Sequence, residues 1–260
     1  MVYDNPSEIR ELVRRGDLLR PTCGLAPGYT QANLVILPKE FSFDFFLFCQ
    51  RNPKPCPILE VLEPGNYQPV LSAPTADIRV DVPLYRVYQN GKLISEERDI
   101  TKYWNSELVS FLLGCSFTFE TALIKAGISL RHIDEGKNVT MYVTNIETIP
   151  AGIFSGPLVV SMRPIPKTKV VRAVQITSRF PGVHGAPVHI GEPERIGITN
   201  LARPDYGDVV EVKENEVPVF WACGVTPQAV ALKSKPPLMI THSPGYMFIT
   251  DLLDEDLSVL

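Results

Sequence analysis

No stretch of this sequence approaches the roughly 20 consecutive apolar residues that a membrane span needs. Its opening residues, MVYDNPSEIRELVRRGD, mix both charge signs where an export signal carries an apolar core. A membrane partner is therefore excluded, and the expected location is the cytoplasm. Basic clusters are missing too: formal charge is -4, and Lys and Arg are scattered, so no basic face is available to track a phosphate backbone and nucleic acid is excluded as a partner. The five cysteines (Cys23, Cys49, Cys56, Cys115 and Cys223) form an odd set without CxxC spacing, which argues against a disulfide framework and a zinc knuckle. Histidine is scarce, at four residues, with no HxxxH pair, so no metal is assigned. There is no GxSxG, which removes the nucleophile elbow of an α/β hydrolase.

What remains is an ordinary globular balance, 45% hydrophobic and 21% charged over 260 residues. That length leaves either one large domain or two smaller ones open. Proline is in excess, at 24 residues, against a usual content of about 5%. The prolines fall between apolar segments, so they read as rigid turns of an ordered fold.

Asn5, Pro6 and Glu8 supply a cap, a first-turn proline and an early acid, which predicts a helix from Pro6 to Arg15 stopping at Gly16. A second helix is expected from Pro38, with Phe41, Phe45, Phe48 and Cys49 at helical spacing and Asn52-Pro53 as its stop. CPILEVLEPG reads as a short strand, and PLYRVYQNGKLISEE as a hairpin turned at Asn90-Gly91. Tyr103, Trp104, Leu108, Phe111 and Leu112 fall on one helical face ending at Gly114, and a short helix follows to Gly127. NVTMYVTNIE, GPLVVSMRPI and KVVRAVQITSRF read as three strands. Further strands are expected at 209–212, 217–222 and 238–241, with a helix from Pro227 to Lys233. The expected fold class is α/β: a main α/β domain built from 1–114 and 183–260, with a smaller α+β domain inserted at 115–182.

Chemistry-bearing residues concentrate in the turns. If the strand ending at Ala222, the following helix and the strand ending at Thr241 form a βαβ unit, the two strands run parallel and their ends share an edge, where open α/β sheets bind ligands. Cys223, Thr226, His242 and Ser243 then face one crevice. Gly224 permits a tight turn and close backbone approach, Thr226 caps the helix, and the N–H groups there suit a carboxylate or phosphate. The same Thr-Pro start serves any helix without a ligand.

In FLLGCSFTFE, Ser116 or Thr118 can cap the next helix, and Glu120 is either an acid–base group or a complement to the helix dipole. Cys115 is either a thiolate at a helix terminus or an inert buried thiol. SRFPGVHGAPVHIG holds His184 and His189 across a Gly-Ala-Pro turn; neutral imidazoles moving protons or donating hydrogen bonds fit this spacing better than metal ligation. His132 reads as a surface residue. Arg163 and Arg179 each close an apolar strand, where a guanidinium can grip a carboxylate or pair with Asp or Glu. Tyr29, Gln31 and Asn33 divide between turn capping and ligand contact.

Six ordered segments, GYTQANLVILP, FLLGCSFTFE, VVSMRPI, SRFPGVHGAPVHIG, FWACGVTPQ and THSPGYMFITDL, together resemble the D-glutamate cyclase family over nearly the whole chain. The resemblance implies a three-layer α/β part carrying a smaller two-layer α+β part. It also implies a reversible dehydration without a cofactor, in which the D-glutamate amine attacks its own side-chain carboxyl to give 5-oxo-D-proline and water. Such chemistry needs an anion anchor, an oxyanion stabiliser and a group that moves protons. The expected assignments are Arg163 or Arg179 for the α-carboxylate, with Ser116, His189, Ser243, Tyr29, Gln31 and Asn33 as further contacts. The N–H groups of Gly224 to Thr226 serve the oxyanion, His184 or Glu120 is the base and His242 the acid. Cys115 or Cys223 offers a thioester route, though an intramolecular closure needs covalent help less. A sensor that binds a small carboxylate without turnover, and a metal-dependent hydratase using His184, His189 and His242, are the competing readings. A homodimer is left open.

Overall fold

The computed structural model describes residues 4–259. Helix α1 (Pro6–Arg15) begins where Asn5 Oδ1 accepts the Ser7 and Glu8 N–H groups and ends at Gly16 in the left-handed region, as its caps predict. There follow β1 (Tyr29–Pro38), α2 (Lys39–Arg51), β2 (Ile58–Val61), β3 (Tyr85–Gln89), β4 (Lys92–Glu97) and β5 (Leu108–Gly114). A single 3-10 turn (Ser116–Phe119) leads into α3 (Glu120–Lys125) and α4 (Arg131–Asp134). The chain continues through β6 (Thr140–Glu147), β7 (Pro157–Pro166), α5 (Val170–Ser178), β8 (His189–Ile190), β9 (Glu216–Ala222), α6 (Thr226–Ser234), β10 (Met239–His242) and β11 (Phe248–Leu253).

The chain has the expected α/β class, built on two sheets whose pairings are all antiparallel. The larger has seven strands in the order β2-β5-β1-β10-β3-β4, with β11 also pairing with β1; the smaller runs β6-β7-β9-β8. Strand alternation sorts side chains onto two faces. In the larger sheet, Val35, Leu37, Val109, Phe111 and Leu113 meet Phe45, Phe48 and Cys49 of α2 and Val230 and Ala231 of α6. Ala32, Leu34, Ile36, Leu108 and Leu112 face the other way, under the irregular segment carrying Ala73, Ile78 and Val82. The smaller sheet turns Ile165, Val219 and Trp221 toward α3 and α5, and its other face toward the segment bearing Ile196, Ile198 and Val210. A mixed cluster of Cys115, Phe117, Met141, Val159, Cys223, Val225 and Met247 joins the two sheets.

Four expectations give way. The strand expected at 209–212 is irregular chain, with Val210 packing on the smaller sheet from outside any ladder. The apolar run ending at Gly114 is β5, buried at every position between β1 and β2. A short strand sealed on both faces shows no alternation, and its periodicity is indistinguishable from a buried helix. KVVRAVQITSRF forms α5, because Ala173, Ile176 and Thr177 recur at helical spacing against the smaller sheet and outweigh the β-branched content. The βαβ unit is absent: β9 pairs with β7 and β8, whereas β10 pairs with β1 and β3. α6 therefore crosses between sheets, and β8 and β9, placed by sequence with the main part, complete the smaller sheet. Among the described residues no helix is long and apolar enough to cross a membrane.

Candidate functional site

Alternation along β7 carries Arg163 to the face beneath α3 and α5, where it is fully buried. Its Nε donates to Glu120 Oε1 at 2.9 Å, and its two Nη groups donate to Ser161 Oγ and Ser116 Oγ at 3.0 Å each. The guanidinium lies 5.4 Å and 5.5 Å from the ring centres of Phe119 and Trp221. His132 Nε2 approaches Glu120 Oε1 to 3.0 Å without hydrogen-bond alignment. Burial pushes the Glu120 carboxyl up, but His132 and Arg163 beside it more than offset this and hold it below its ordinary value. Glu120, Arg163 and Ser116, three residues of quoted motifs, thus form one sealed charged cluster. His132, expected at the surface, is buried inside it because α4 packs against β7.

The other motif turns also converge, but on core. Asn33 Nδ2 donates to Gly114 O at 2.6 Å, and a Cβ on Gly224 would come within 2.0 Å of the Asn33 amide. Close packing, therefore, is why position 224 has no side chain. Thr226 is the first residue of α6 and not its cap: its hydroxyl donates to Cys223 O at 2.7 Å and its N–H bonds the same carbonyl. Gln31 Nε2 donates to Thr22 O and Leu25 O, tying down the loop before β1, and Tyr29 opens that strand, partly buried.

Burial raises the Cys223 thiol to about 11 and the Cys115 thiol further, so neither is a ready thiolate nucleophile at neutral pH. His184 Nδ1 sits 2.7 Å from Lys54 O, and His242 Nδ1 accepts the Leu34 N–H at 3.2 Å; burial lowers both imidazoles to about 4. His189 is partly exposed, with Nε2 2.9 Å from Glu192 O. Among the described residues no three His, Cys, Asp or Glu side chains gather as a metal site.

Two openings lie beside this core. The first, about 670 Å³, is lined by Thr118 of the 3-10 turn, Thr121 and Lys125 of α3, Arg172 and Ile176 of α5 with Arg179 at its C-cap, and Asp254, Glu255 and Ser258 after β11. Arg172, Ile176 and Arg179 are spaced i, i+4, i+7, so one side of α5 and its αR C-cap carries both arginines, Arg179 Nε donating to Val259 O at 3.1 Å. Asp254 is buried; Thr30 Oγ1 donates to its Oδ1 at 3.3 Å, while its Oδ2 and the Thr118 hydroxyl have no hydrogen-bond partner among the described residues. Burial raises the Asp254 carboxyl to about 7, with Thr30, Thr121 and Lys125 pulling it only partly back. The second opening, about 420 Å³, contains Arg86, Asn138, Asp205, Asp208 and Ser243.

Of the residues named from sequence, Thr118, read there as a possible cap, and Arg179 line the first opening and Ser243 the second; Cys115, Glu120, Arg163, His184, Cys223 and His242 line neither. Lys125, Arg172 and Asp254 were missed. The i, i+7 arginine pair becomes a signal only once 170–178 is recognised as a helix, and nothing local marks Asp254 as buried.

The model of the D-glutamate cyclase family matches residues 109–251. A protein from Thermoanaerobacter sp. (strain X514) bearing a hydro-lyase name is 66% identical over 98% of this chain and 97% of its own. One from Geobacillus kaustophilus, similarly named, is 63% identical over 97% and 96% respectively, and one from Bacillus subtilis is 60% identical over 98% and 99%. A nitrogen repressor-like protein from Methanococcus jannaschii aligns with 95% of this chain and 98% of its own at 9% identity and a TM-score of 0.38, a likeness too slight to build on. The fold is mixed α/β, and these relatives make the protein an enzyme of the hydro-lyase type. The chain belongs to the D-glutamate cyclase family.

Proposed function

We propose that this hydro-lyase closes D-glutamate, or a closely related amino-dicarboxylate, to a cyclic amide such as 5-oxo-D-proline, and that the opening between α3, α5 and Asp254 is its active site. One observation carries the reading: a cavity of ligand size joins three cations, Lys125, Arg172 and Arg179, to a buried carboxyl poised near neutrality. Its five unpaired cysteines suit a cytoplasmic setting.

The three cations anchor the two carboxylates of the substrate and neutralise the one under attack, which otherwise repels a nucleophile. Asp254 takes a proton from the ammonium, freeing the lone pair that forms the C–N bond. It returns that proton to a carboxyl oxygen of the tetrahedral adduct, then takes the second nitrogen proton and delivers it to the departing hydroxyl. The C–O bond breaks, water leaves, and Asp254 ends as it began. A carboxyl that titrates near 7 accepts and releases protons at comparable rates at neutral pH. Thr118 and Thr121, which line the same opening, supply hydroxyl donors for the adduct's oxygens.

The test is incubation with each glutamate enantiomer, following 5-oxoproline by chiral chromatography. Asp254→Asn is expected to lower kcat by roughly 10²-fold or more, and Arg179→Ala to raise KM with a smaller change in kcat. Wild-type turnover by Asp254→Asn would remove Asp254 from the mechanism; tight binding without product would make the protein a sensor.

A further inference from the structure

We propose that the second opening is a separate binding site for a small zwitterionic α-amino acid. It lies on the seam between the two sheets, with Arg86 and Glu96 of the β3–β4 hairpin and Ser243 after β10 on one side. Asn138, just before β6, and Asp205, Tyr206 and Asp208 line the other. The reading rests on this lining and not on the active-site assignment.

The wall is built and not incidental. Asn138 is 8% exposed; its Nδ2 donates to Pro244 O at 2.9 Å, whereas its Oδ1 has no partner among the described residues. Gly245, at φ +85°, leaves room for that amide, since a Cβ there would fall 2.1 Å from Asn138 Oδ1. Asp208 Oδ2 accepts the Asn138 N–H at 2.8 Å, and Asp205 Oδ2 accepts the Val143 N–H at 2.8 Å. Backbone donors therefore fix both carboxylates by one oxygen each.

The lining charges are Asp205, Asp208 and Glu96 against the single Arg86, whose Nε donates to Glu96 Oε1 at 2.8 Å. That excess of negative charge selects a cationic group. Here the opening contrasts with the cation-rich first cavity, which suits a dianion. An ammonium donates three hydrogen bonds, matching the Asp205, Asp208 and Glu96 carboxylates of the lining. Arg86 and Tyr246 line the same opening and offer a guanidinium and a hydroxyl to one carboxylate, while Ser243 Oγ donates to Glu96 Oε1 at 3.4 Å, so the zwitterion satisfies both signs. Because β3, β4 and β10 meet 138–141 and 205–208 here, an occupant bridges the two sheets.

Isothermal titration with glycine, which lacks the second carboxyl needed for cyclisation, tests the assignment, with acetate and methylammonium as half-molecule controls. Glycine is expected to bind with a stoichiometry of one and at least tenfold more tightly than either control. Affinity should fall at least tenfold in the Asp205→Asn/Asp208→Asn variant and several-fold in Glu96→Gln, which touches an exposed ion pair with Arg86 and keeps the test open should the double variant fold poorly. It should persist in Arg172→Ala. Absence of glycine binding, equal binding of acetate, or loss in Arg172→Ala with retention in the Asp variants would each overturn the proposal.

Discussion

Two charged clusters grow from one short segment, Ser116 to Lys125, and differ in almost every respect except their origin. Ser116 and Glu120 turn inward to Arg163 and His132, sealed among Phe119 and Trp221. Thr118, Thr121 and Lys125 turn outward to an opening shared with Arg172, Arg179 and Asp254. In the sealed cluster Arg163 is matched to Glu120, Ser116 and Ser161, and His132 Nε2, though without hydrogen-bond alignment, stands 3.0 Å from the Glu120 carboxylate; the open one leaves Thr118 Oγ1 and Asp254 Oδ2 without partners among the described residues. Charges that satisfy one another hold a geometry, whereas groups left unsatisfied at an opening are available to a ligand. A motif rich in chemistry thus need not be the chemical site.

The sharpest way to break this contrast is at the sealed end. Arg163→Met leaves Glu120 buried without its guanidinium, and by the usual penalty for half of a buried ion pair should cost roughly 3–5 kcal/mol. Urea unfolding followed by circular dichroism measures it. Adding Glu120→Leu should recover part of that loss, since the second change removes the stranded charge. If the single variant matches the parent, the cluster does not hold the fold.

At the open end the sign reverses. The Asp254 carboxyl, raised to about 7 from an ordinary 3.8, disfavours ionisation in the folded state. Stability associated with its protonated form is present below pH 4 and is lost as pH rises through 7. Asp254→Asn should therefore be more stable than the parent at pH 8, by roughly 2–4 kcal/mol, with the two converging below pH 4. The same change should abolish most turnover, an exchange of activity for stability expected where a site stores an unfavourable group. Thermal unfolding at pH 4 and pH 8 checks the first half; a variant less stable at pH 8 would mean the carboxylate is held by partners instead.

His184 and His242 supply a smaller, oppositely directed effect. Both are lowered to about 4 from 6.5, so their contribution is present above pH 6.5 and lost as pH falls through 4. His184 sits at φ +84°, which Asn tolerates better than most residues. His184→Asn should flatten the acid-side loss by roughly 1–3 kcal/mol. Denaturant titrations at pH 4.5 and pH 7 read the difference; an unchanged slope removes His184 from the acid response.

Legibility in the sequence follows the same division. Elements marked by local chemistry were readable: the Asn5 cap, the aromatic stripe of α2, the Asn90-Gly91 hairpin, and β6 and β7 by their apolar runs. β5 was not, because total burial erases alternation, and α5 was not, because Val and Ile resemble a strand until packing against β7 and β9 decides. The family was legible from its ordered motifs. Its motif turns do meet, at Asn33, Gly114 and Gly224, yet meeting says nothing about access to solvent. Thr118 and Arg179 reached the candidate site through motifs, whereas Lys125, Arg172 and Asp254 belong to it only by tertiary placement.

The finest test separates the two clusters by their response to salt. Lys125 Nζ and Glu255 Oε1 stand 3.7 Å apart at the rim of the first opening, with side chains 70% and 84% exposed. A pair so open is worth little to the fold, and Glu255→Gln should shift stability by under about 0.5 kcal/mol. Removing a negative charge from the cavity rim nevertheless raises the local potential for an incoming dianion. KM for D-glutamate should accordingly fall a few-fold at low ionic strength, an advantage that should fade near 0.5 M salt, where the screening length is only about 4 Å. Arg163, enclosed by Phe119 and Trp221, is shielded from those ions, so the penalty of Arg163→Met should hardly change over the same range. A KM advantage that survives high salt would place Glu255 in direct contact with substrate, not at a distance acting through its field.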